Sequence, residues 1–173
     1  MARYGQTAEE AYDNLHDFPK PTIAMISGDR IGGGMALAGC CDVRICTTRS
    51  KFGIPAAKLG VGYNTKNIKR LMDIVGASVA KEILFTARQF DAEGARLMKF
   101  VNKVVPDGDI EDHVADYARR IAARSAFELA SAKLAICELS GEKSGPALIC
   151  LSQSGGRDKA FPRKAGFFNL AHF

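Results

Sequence analysis

The sequence predicts an α/β fold, with one core of strands and helices and a helical part towards the C-terminal end. Three observations support this prediction. Short apolar runs rich in β-branched residues, typical of buried strands, alternate with segments whose apolar residues recur at helical spacing. The chain has 173 residues, enough for one domain with a sizeable core. Apolar residues make up 47% of it and charged residues 25%, a balance typical of globular chains rather than disordered ones.

The first predicted elements form a helix–strand–helix–strand series. A helix is predicted after Thr7, a candidate N-cap with Glu10 three residues later, and a pair of prolines ends it. Residues 22–27 are a short apolar run typical of a buried strand, and the small residues of 33–41 favour a buried helix. Alternation in 42–48 predicts the next strand. If the two strands are parallel, their crossover is right-handed.

The rest of the chain is predicted to be mainly helical. Glycines and a proline in 51–63 favour a loop there. The later elements are predicted as helices at 65–75, 78–86, 91–99, 109–124 and 126–139, with a strand at 100–105. The helix at 109–124 has acidic residues in its first turn and arginines near its end, which matches the helix dipole.

Composition narrows the classes of function. The net charge of +5 is compatible with an anionic small molecule, but no Lys/Arg block is interleaved with aromatic residues, so a nucleic-acid partner is not expected. The five cysteines show no metal-ligand spacing, which favours reduced, buried thiols and no metal site. No signal peptide and no apolar run long enough for a bilayer are found, so a cytoplasmic protein without membrane contact is expected.

Three consecutive glycines, Gly32 to Gly34, lie between the predicted strand and helix. A dinucleotide-binding fingerprint would need a third spaced glycine where Leu37 stands, and a phosphate-binding P-loop would need Lys-Ser/Thr where Met35-Ala36 stand. Two readings remain. The free N–H groups at the helix start can bind an anion or a developing oxyanion, or the glycines simply allow a tight turn packed under another segment.

The stretch FPKPTIAMISGDRIGGGMALAGCCDVRICTTRSKFGIPAAKLGV resembles the enoyl-CoA hydratase/isomerase (crotonase) superfamily. The matching elements are the Lys-Pro before the strand, the glycine turn, the Cys41-Asp42 pair and the Phe-Gly…Pro…Leu-Gly loop at 52–60. AKEILFTARQFDAEGARLMKFVNKVVP looks like the helices and strand that follow in the family, so the resemblance runs over about 17–140. It implies a crotonase (ClpP-like) spiral core with C-terminal helices.

The resemblance also implies a site. In the family, the N–H of the middle glycine, here Gly33, forms half of an oxyanion hole for the thioester carbonyl of an acyl-CoA, with Gly32 and Gly34 beside the substrate. Coenzyme A enters only as part of the substrate, so no separate cofactor is expected. Family members form trimers, often paired into hexamers, and the same assembly is expected here.

Two departures from the family pattern bear on the chemistry. Family hydratases carry glutamates at the positions of Ala36 and Ala56, and losing one general acid or base typically costs about 10²–10⁴ in rate. In the family, an N-terminal region supplies the other oxyanion N–H; the resemblance begins after that region, so it is expected to be either truncated or supplied by another chain. The expected organisation is therefore a partial core at 1–125, with the N-terminal part absent, and a C-terminal helical, oligomerisation segment at 126–173.

Alternative chemistry is suggested by KLGVGYN, residues 58–64. Decarboxylases of the family that act on methylmalonyl-CoA have a similar segment with an active-site tyrosine, which Tyr63 matches, and Asn64 follows it as a candidate ligand contact. Decarboxylation needs an oxyanion hole but no water-activating glutamate. Asp42 is expected to brace the turn before its strand rather than to act in catalysis.

Two further possibilities follow from the same resemblance. The family's last helix offers a Phe and a Lys to the CoA of a neighbouring subunit, and Phe161 and Lys164 are the nearest counterparts here. The other reading of that end is a basic, solvated tail. A non-catalytic acyl-CoA binder or a truncated fragment is the alternative to an enzyme.

Overall fold

The computed structural model of the chain describes residues 2–141 and 166–169, and its helices and strands confirm the predicted α/β class. The strands are β1 (Thr22–Ile26), β2 (Arg30–Ile31), β3 (Val43–Thr47), β4 (Lys51–Gly53), β5 (Phe90–Asp91), β6 (Lys103–Val105) and β7 (Gly166–Asn169). The α-helices are α1 (Ala2–His16), α2 (Gly33–Gly39), α3 (Ala56–Leu59), α4 (Thr65–Thr86), α5 (Ala92–Leu97), α6 (Ile110–Ala122) and α7 (Ala126–Leu139).

Four strands form a parallel sheet in the order β6–β3–β1–β7. In it, Ile23 of β1 lies opposite Val43 of β3, and α2 lies between these two strands in the chain. The predicted strand–helix–strand unit is therefore confirmed, and its strands are parallel. A second, smaller sheet has the order β2–β4–β5, with β2 and β4 parallel and β4 and β5 antiparallel.

Some predicted boundaries are wrong. Helix α1 begins at Ala2, so Thr7 lies inside it and is not its N-cap. The presumed loop at 51–63 contains β4 and α3, which are too short to show a periodic pattern. The helices predicted on either side of residue 76 are merged in α4, but Gly76 has a non-helical φ of 82° at the predicted break.

The strand predicted at 100–105 begins only at Lys103, because the residues before it form a turn. The N–H groups of Phe100 and Val101 both donate to the carbonyl oxygen of Ala95, at 2.9 and 3.2 Å, and turn the chain into the core. Buried Arg44 fixes this turn, since its Nε donates to the Phe100 carbonyl oxygen at 2.6 Å. The apolar run was therefore a core turn followed by a short strand.

Aromatic rings of the small sheet pack in the core against the turn before β6. The ring of Phe52 in β4 stacks on Phe90 with 6.0 Å between centroids and meets the edge of Phe100 at 5.5 Å. Met35 and Ala38 of α2 are buried in the same cluster. A second apolar cluster lies between the parallel sheet and α6 and contains Ile23, Ile45, Val105, Ile110, Val114 and Ala118.

Asp42 ties the starts of β1 and β3 together. One carboxylate oxygen, Oδ2, accepts hydrogen bonds from the Thr22 N–H at 2.7 Å and the Thr22 hydroxyl at 2.9 Å, while the Asp42 N–H donates to that hydroxyl. The Lys133 ammonium of α7 also donates to Oδ2, at 2.8 Å. Asp42 thus braces the strand entry, as predicted.

Candidate active site

The glycine turn has one position that its backbone reserves for glycine. Gly32, the N-cap of α2, has φ +62°, a conformation that other residues rarely adopt. Its N–H donates to the Gly53 carbonyl oxygen at 2.8 Å, and its own carbonyl accepts the Ala36 N–H at 3.1 Å. The turn is thereby fixed between β4 and the first turn of α2.

The other two glycines of the run are crowded by the chain's own side chains. A Cβ on Gly33 would lie 3.1 Å from the Tyr12 hydroxyl oxygen, and one on Gly34 would lie 3.4 Å from Cδ of Arg30. The glycine turn therefore packs under α1, as the tight-turn interpretation of the glycine run predicts. Glycine at 33 makes room for a tyrosine hydroxyl directly over the start of α2.

The N–H groups at this helix start remain available as donors. Among residues 2–141 and 166–169, no oxygen accepts a hydrogen bond from the N–H of Gly33 or Gly34, and no side chain caps the helix. Unpaired N–H groups at a helix start carry partial positive charge. The glycine run can thus form a tight, packed turn and still present N–H donors at the start of α2.

A small cleft lies beside α2, and its enclosed space is about 10 Å³, about the room that one water molecule needs. Its lining residues come from α2, α4 and the core between them: Met35, Ala36, Gly39, Ile54, Tyr63, Asn67, Arg70, Leu71 and Phe100. No carboxylate belongs to this lining in the described part of the chain. The enclosed space is far below the roughly 300–1,000 Å³ of pockets for drug-sized ligands, so an acyl group can occupy the cleft only if lining side chains move.

The predicted site residues are only partly brought together. Ala36 and Tyr63 share the cleft, whereas Ala56 is buried at the start of α3 and is not among the lining residues. Asn64 is the N-cap of α4: its Oδ1 accepts the Lys66 N–H at 2.8 Å, which gives it a structural role. Gly32 to Gly34 form the turn described above. Phe161 and Lys164 lie outside the described residues.

Burial controls the titration of the groups around the cleft. It raises the pKa of the Tyr63 hydroxyl, with Tyr12 and Cys40 acting in the same direction, so Tyr63 stays a hydrogen-bond donor across the physiological range. Burial also raises the pKa of the Cys40 thiol to about 11, which leaves it protonated and a poor nucleophile. The Tyr63 hydroxyl can therefore donate a hydrogen bond in the cleft, whereas the Cys40 side chain stays a thiol.

Asp13 of α1 interacts electrostatically with Cys40, but its carboxylate is already paired. Hydrogen bonds from Lys66 and Arg70, both at 2.7 Å, lower the pKa of its carboxyl. It is ionised at neutral pH and held by two cations, so it is poorly suited to replace a catalytic glutamate as a proton donor.

Three polar residues of this neighbourhood were not predicted as site residues: Tyr12, Asn67 and Arg70. Tyr12 and Arg70 look like ordinary positions on predicted helices, and only the packing of α1 against α4 gives them a shared environment. The described residues contain no cluster of three or more His, Cys, Asp or Glu side chains able to hold a metal ion. Within the same residues, no helix is long and apolar enough to cross a membrane.

Comparison with known proteins agrees with this fold. The family model described as enoyl-CoA hydratase/isomerase matches residues 1–144. A crotonyl-CoA hydratase of Syntrophomonas wolfei is 33% identical over 135 residues, which cover 78% of this chain and 52% of the relative. A short-chain-enoyl-CoA hydratase of Clostridium acetobutylicum is 31% identical over 134 residues. The chain thus spans about half the length of the curated relatives it matches.

Similar solved structures indicate the same family. An enoyl-CoA hydratase/carnithine racemase from Magnetospirillum magneticum aligns with a TM-score of 0.78 at 31% identity, covering 88% of this chain and 57% of that one. A methylmalonyl-CoA decarboxylase bound to 2-nitronate-propionyl-CoA aligns with a TM-score of 0.75 at 26% identity, covering 84% and 56%. The predicted crotonase-type core is confirmed, and the chain belongs to the enoyl-CoA hydratase/isomerase family.

Proposed function

We propose that this chain acts on or binds an acyl-CoA thioester, whose carbonyl oxygen accepts a hydrogen bond from the Gly33 N–H. The observation that carries the proposal is the Gly33 N–H at the start of α2, which donates to no oxygen among the described residues and belongs to the helix whose Ala36 lines the cleft. A preorganised backbone donor stabilises the negative charge that develops on a thioester oxygen when an enolate forms. The family to which the chain belongs supports the same substrate class.

Alanines at both glutamate positions argue against ordinary hydration. Adding water to an enoyl thioester needs one group to deprotonate water and another to protonate the α-carbon. Ala36 and Ala56 supply neither, and Asp13 is engaged by two cations. We expect crotonyl-CoA hydration by this chain to be slow, because each missing acid or base typically costs about 10²–10⁴ in rate.

Decarboxylation is the second candidate reaction, and Tyr63 favours it. Its side chain lines the cleft with its hydroxyl protonated, and a methylmalonyl-CoA decarboxylase is among the similar structures. In the proposed step, the bond between the α-carbon and the carboxylate breaks and CO₂ leaves. The electron pair passes into the thioester enolate, whose oxygen Gly33 holds, and water then protonates the α-carbon. Tyr63 orients the departing carboxylate.

Turnover of two CoA esters separates these functions. We expect the chain to decarboxylate methylmalonyl-CoA faster than it hydrates crotonyl-CoA, and Tyr63→Phe to lower decarboxylation about tenfold, the equivalent of one lost hydrogen bond. Affinity for propionyl-CoA, measured by calorimetry, should stay unchanged as the control. Fast hydration of crotonyl-CoA would instead identify the chain as a hydratase. Binding without either reaction would leave a non-catalytic binder, and no CoA-ester binding at all would refute the proposal.

We also propose that the chain assembles into a homotrimer or hexamer. Several large apolar side chains face solvent in the chain taken alone, including Phe85 at 76% and Leu139 at 88% exposure. Leu59, Val61, Leu97 and Ile136 are also more than half exposed. Apolar area of this kind favours association. Sedimentation velocity at micromolar concentration is expected to show trimers or larger species, and a monodisperse monomer would contradict the proposal.

A further inference from the structure

One side of the cleft is closed by residues 65–75, the first half of α4. Asn67, Arg70 and Leu71 of this half-helix line the cleft, and Asn67 and Leu71 are buried there. Their burial favours the closed arrangement. Because the enclosed space holds about one water molecule, a larger ligand enters only when part of the lining moves outward.

Glycines in the left-handed region lie at both ends of the segment that carries this half-helix. Gly60 has φ +64° and Gly76 has φ +82°, and a Cβ at either would meet no atom of another described part of the chain within 4 Å. Gly76, with ψ 160°, divides α4 into the halves 65–75 and 77–86. A backbone position that no neighbour packs against can absorb large changes of φ and ψ, as hinge residues do.

Polar contacts with α1 hold the outer side of the first half of α4. Asp13 accepts hydrogen bonds from the Lys66 ammonium and the Arg70 guanidinium, both at 2.7 Å. Glu9 of α1 accepts one from the Asn64 amide, at 2.5 Å. The Lys66 side chain is 63% exposed, and ion pairs this open to water contribute little and are screened by salt. These contacts are therefore easily released.

We propose that the first half of α4 is a gate over the cleft, hinged at Gly60 and Gly76 and latched to α1 by Asp13. In the open state it turns outward together with Arg70, and the cleft widens. Cys40 then meets solvent, because it is only 2% exposed in the closed state and Arg70 interacts with it there. The gate controls access to the cleft for any ligand, so its test uses no CoA ester and does not depend on the proposed function.

Alkylation of Cys40 in the whole chain measures the opening. N-ethylmaleimide is the probe, and tandem mass spectrometry separates Cys40 from its neighbour Cys41. Cys46, fully buried in β3, reports global unfolding in the same sample. When closing is faster than alkylation, the rate is proportional to the open fraction. Cys40 is expected to react about tenfold faster than Cys46, and equal rates would overturn the gate.

Asp13→Asn should raise the rate at Cys40 about fivefold and leave Cys46 unchanged, as the loss of an ion-pair latch predicts. Lys66→Gln should raise it too, by a smaller factor, and it separates the latch from a direct effect of charge. Removing the Asp13 charge alone would favour the Cys40 thiolate, whereas removing the Lys66 charge alone would disfavour it. A slower reaction in Lys66→Gln, or no change in Asp13→Asn, would overturn the latch.

Asp73→Asn is the matched control. It removes a carboxylate from the same half of α4, but Asp73 pairs with Lys69 of its own helix at 2.7 Å rather than with α1. The rate at Cys40 should stay at the wild-type value. An acceleration equal to that in Asp13→Asn would mean that the loss of any carboxylate here loosens the helix, which would also overturn the latch.

Hydrogen exchange locates the hinge. A detached helix as short as 65–75 is marginal in water, so its amides exchange whenever the gate is open. In Asp13→Asn, the amides of 65–75 are expected to exchange about fivefold faster than in the wild type, while those of 77–86 keep their rates. Equal acceleration of both halves would mean that α4 moves as one piece, which would overturn a hinge at Gly76.

Discussion

Replacing Gly33 with proline is expected to lower kcat/KM by about 10²–10³, the cost of removing one oxyanion donor from an acyl-transfer site. The reaction to measure is the turnover of whichever CoA ester the wild-type chain converts. Gly33 is the first residue of α2, where proline is well tolerated because its missing N–H has no helical partner there. The substitution therefore removes the N–H and spares the helix.

Gly33→Ala is the control for this experiment. Both variants place a Cβ about where the Tyr12 hydroxyl approaches at 3.1 Å, and the end of a tyrosine side chain can shift by the few tenths of an ångström required. Only the proline lacks the donor. If the two variants lose activity equally, the Gly33 N–H makes no contact that matters in the transition state.

Asp42→Ala is expected to destabilise the fold by about 3 kcal/mol, measured as the free energy of unfolding in urea. The alanine leaves three donors without their acceptor: the N–H and hydroxyl of Thr22, and the ammonium of Lys133. Thr22 is fully buried and Lys133 largely so, so water replaces the lost acceptor poorly. The damage should fall where β1 and β3 begin.

Asp42→Asn separates shape from charge. The amide keeps one oxygen of similar position for the Thr22 donors and gives up the ion pair with Lys133, so a loss of about 1 kcal/mol is expected. Circular dichroism should show unchanged secondary structure in both variants. A loss below about 1 kcal/mol for the alanine variant would mean that the brace contributes little and that the sheet alone holds the strand entry.

The sequence predicts those parts of the fold that have long periodic patterns. The parallel strand–helix–strand unit around the glycine turn and the long helices were predicted because buried strands and amphipathic helices have distinct spacings. Strands β2 and β5, with two residues each, carry no pattern and exist only because the small sheet offers them partners. The apolar run at 100–105 was ambiguous, since a core turn and a buried strand need the same residue types.

The residues of the candidate site also differ in how well the sequence predicts them. Gly33 and Ala36 lie within one contiguous segment, so the motif alone locates them relative to one another. Arg70, which lines the cleft from α4, pairs with Asp13 of α1, and the two residues are 57 positions apart in the chain. No local pattern encodes that pairing, because each residue alone is typical of a solvated helix face.

The attachment of α7 has a consequence for local motion. Ala130 is its only buried residue, and the Lys133 ammonium links the helix to Asp42 and to the Lys20 carbonyl oxygen. So few contacts give α7 a low free energy of local opening. Its amide hydrogens should therefore exchange with solvent deuterium well before those of β1 and β3, through openings that leave the parallel sheet closed. Because Lys133 releases Asp42 in each such opening, the exchange rate of the Thr22 amide reports on how firmly that helix is attached.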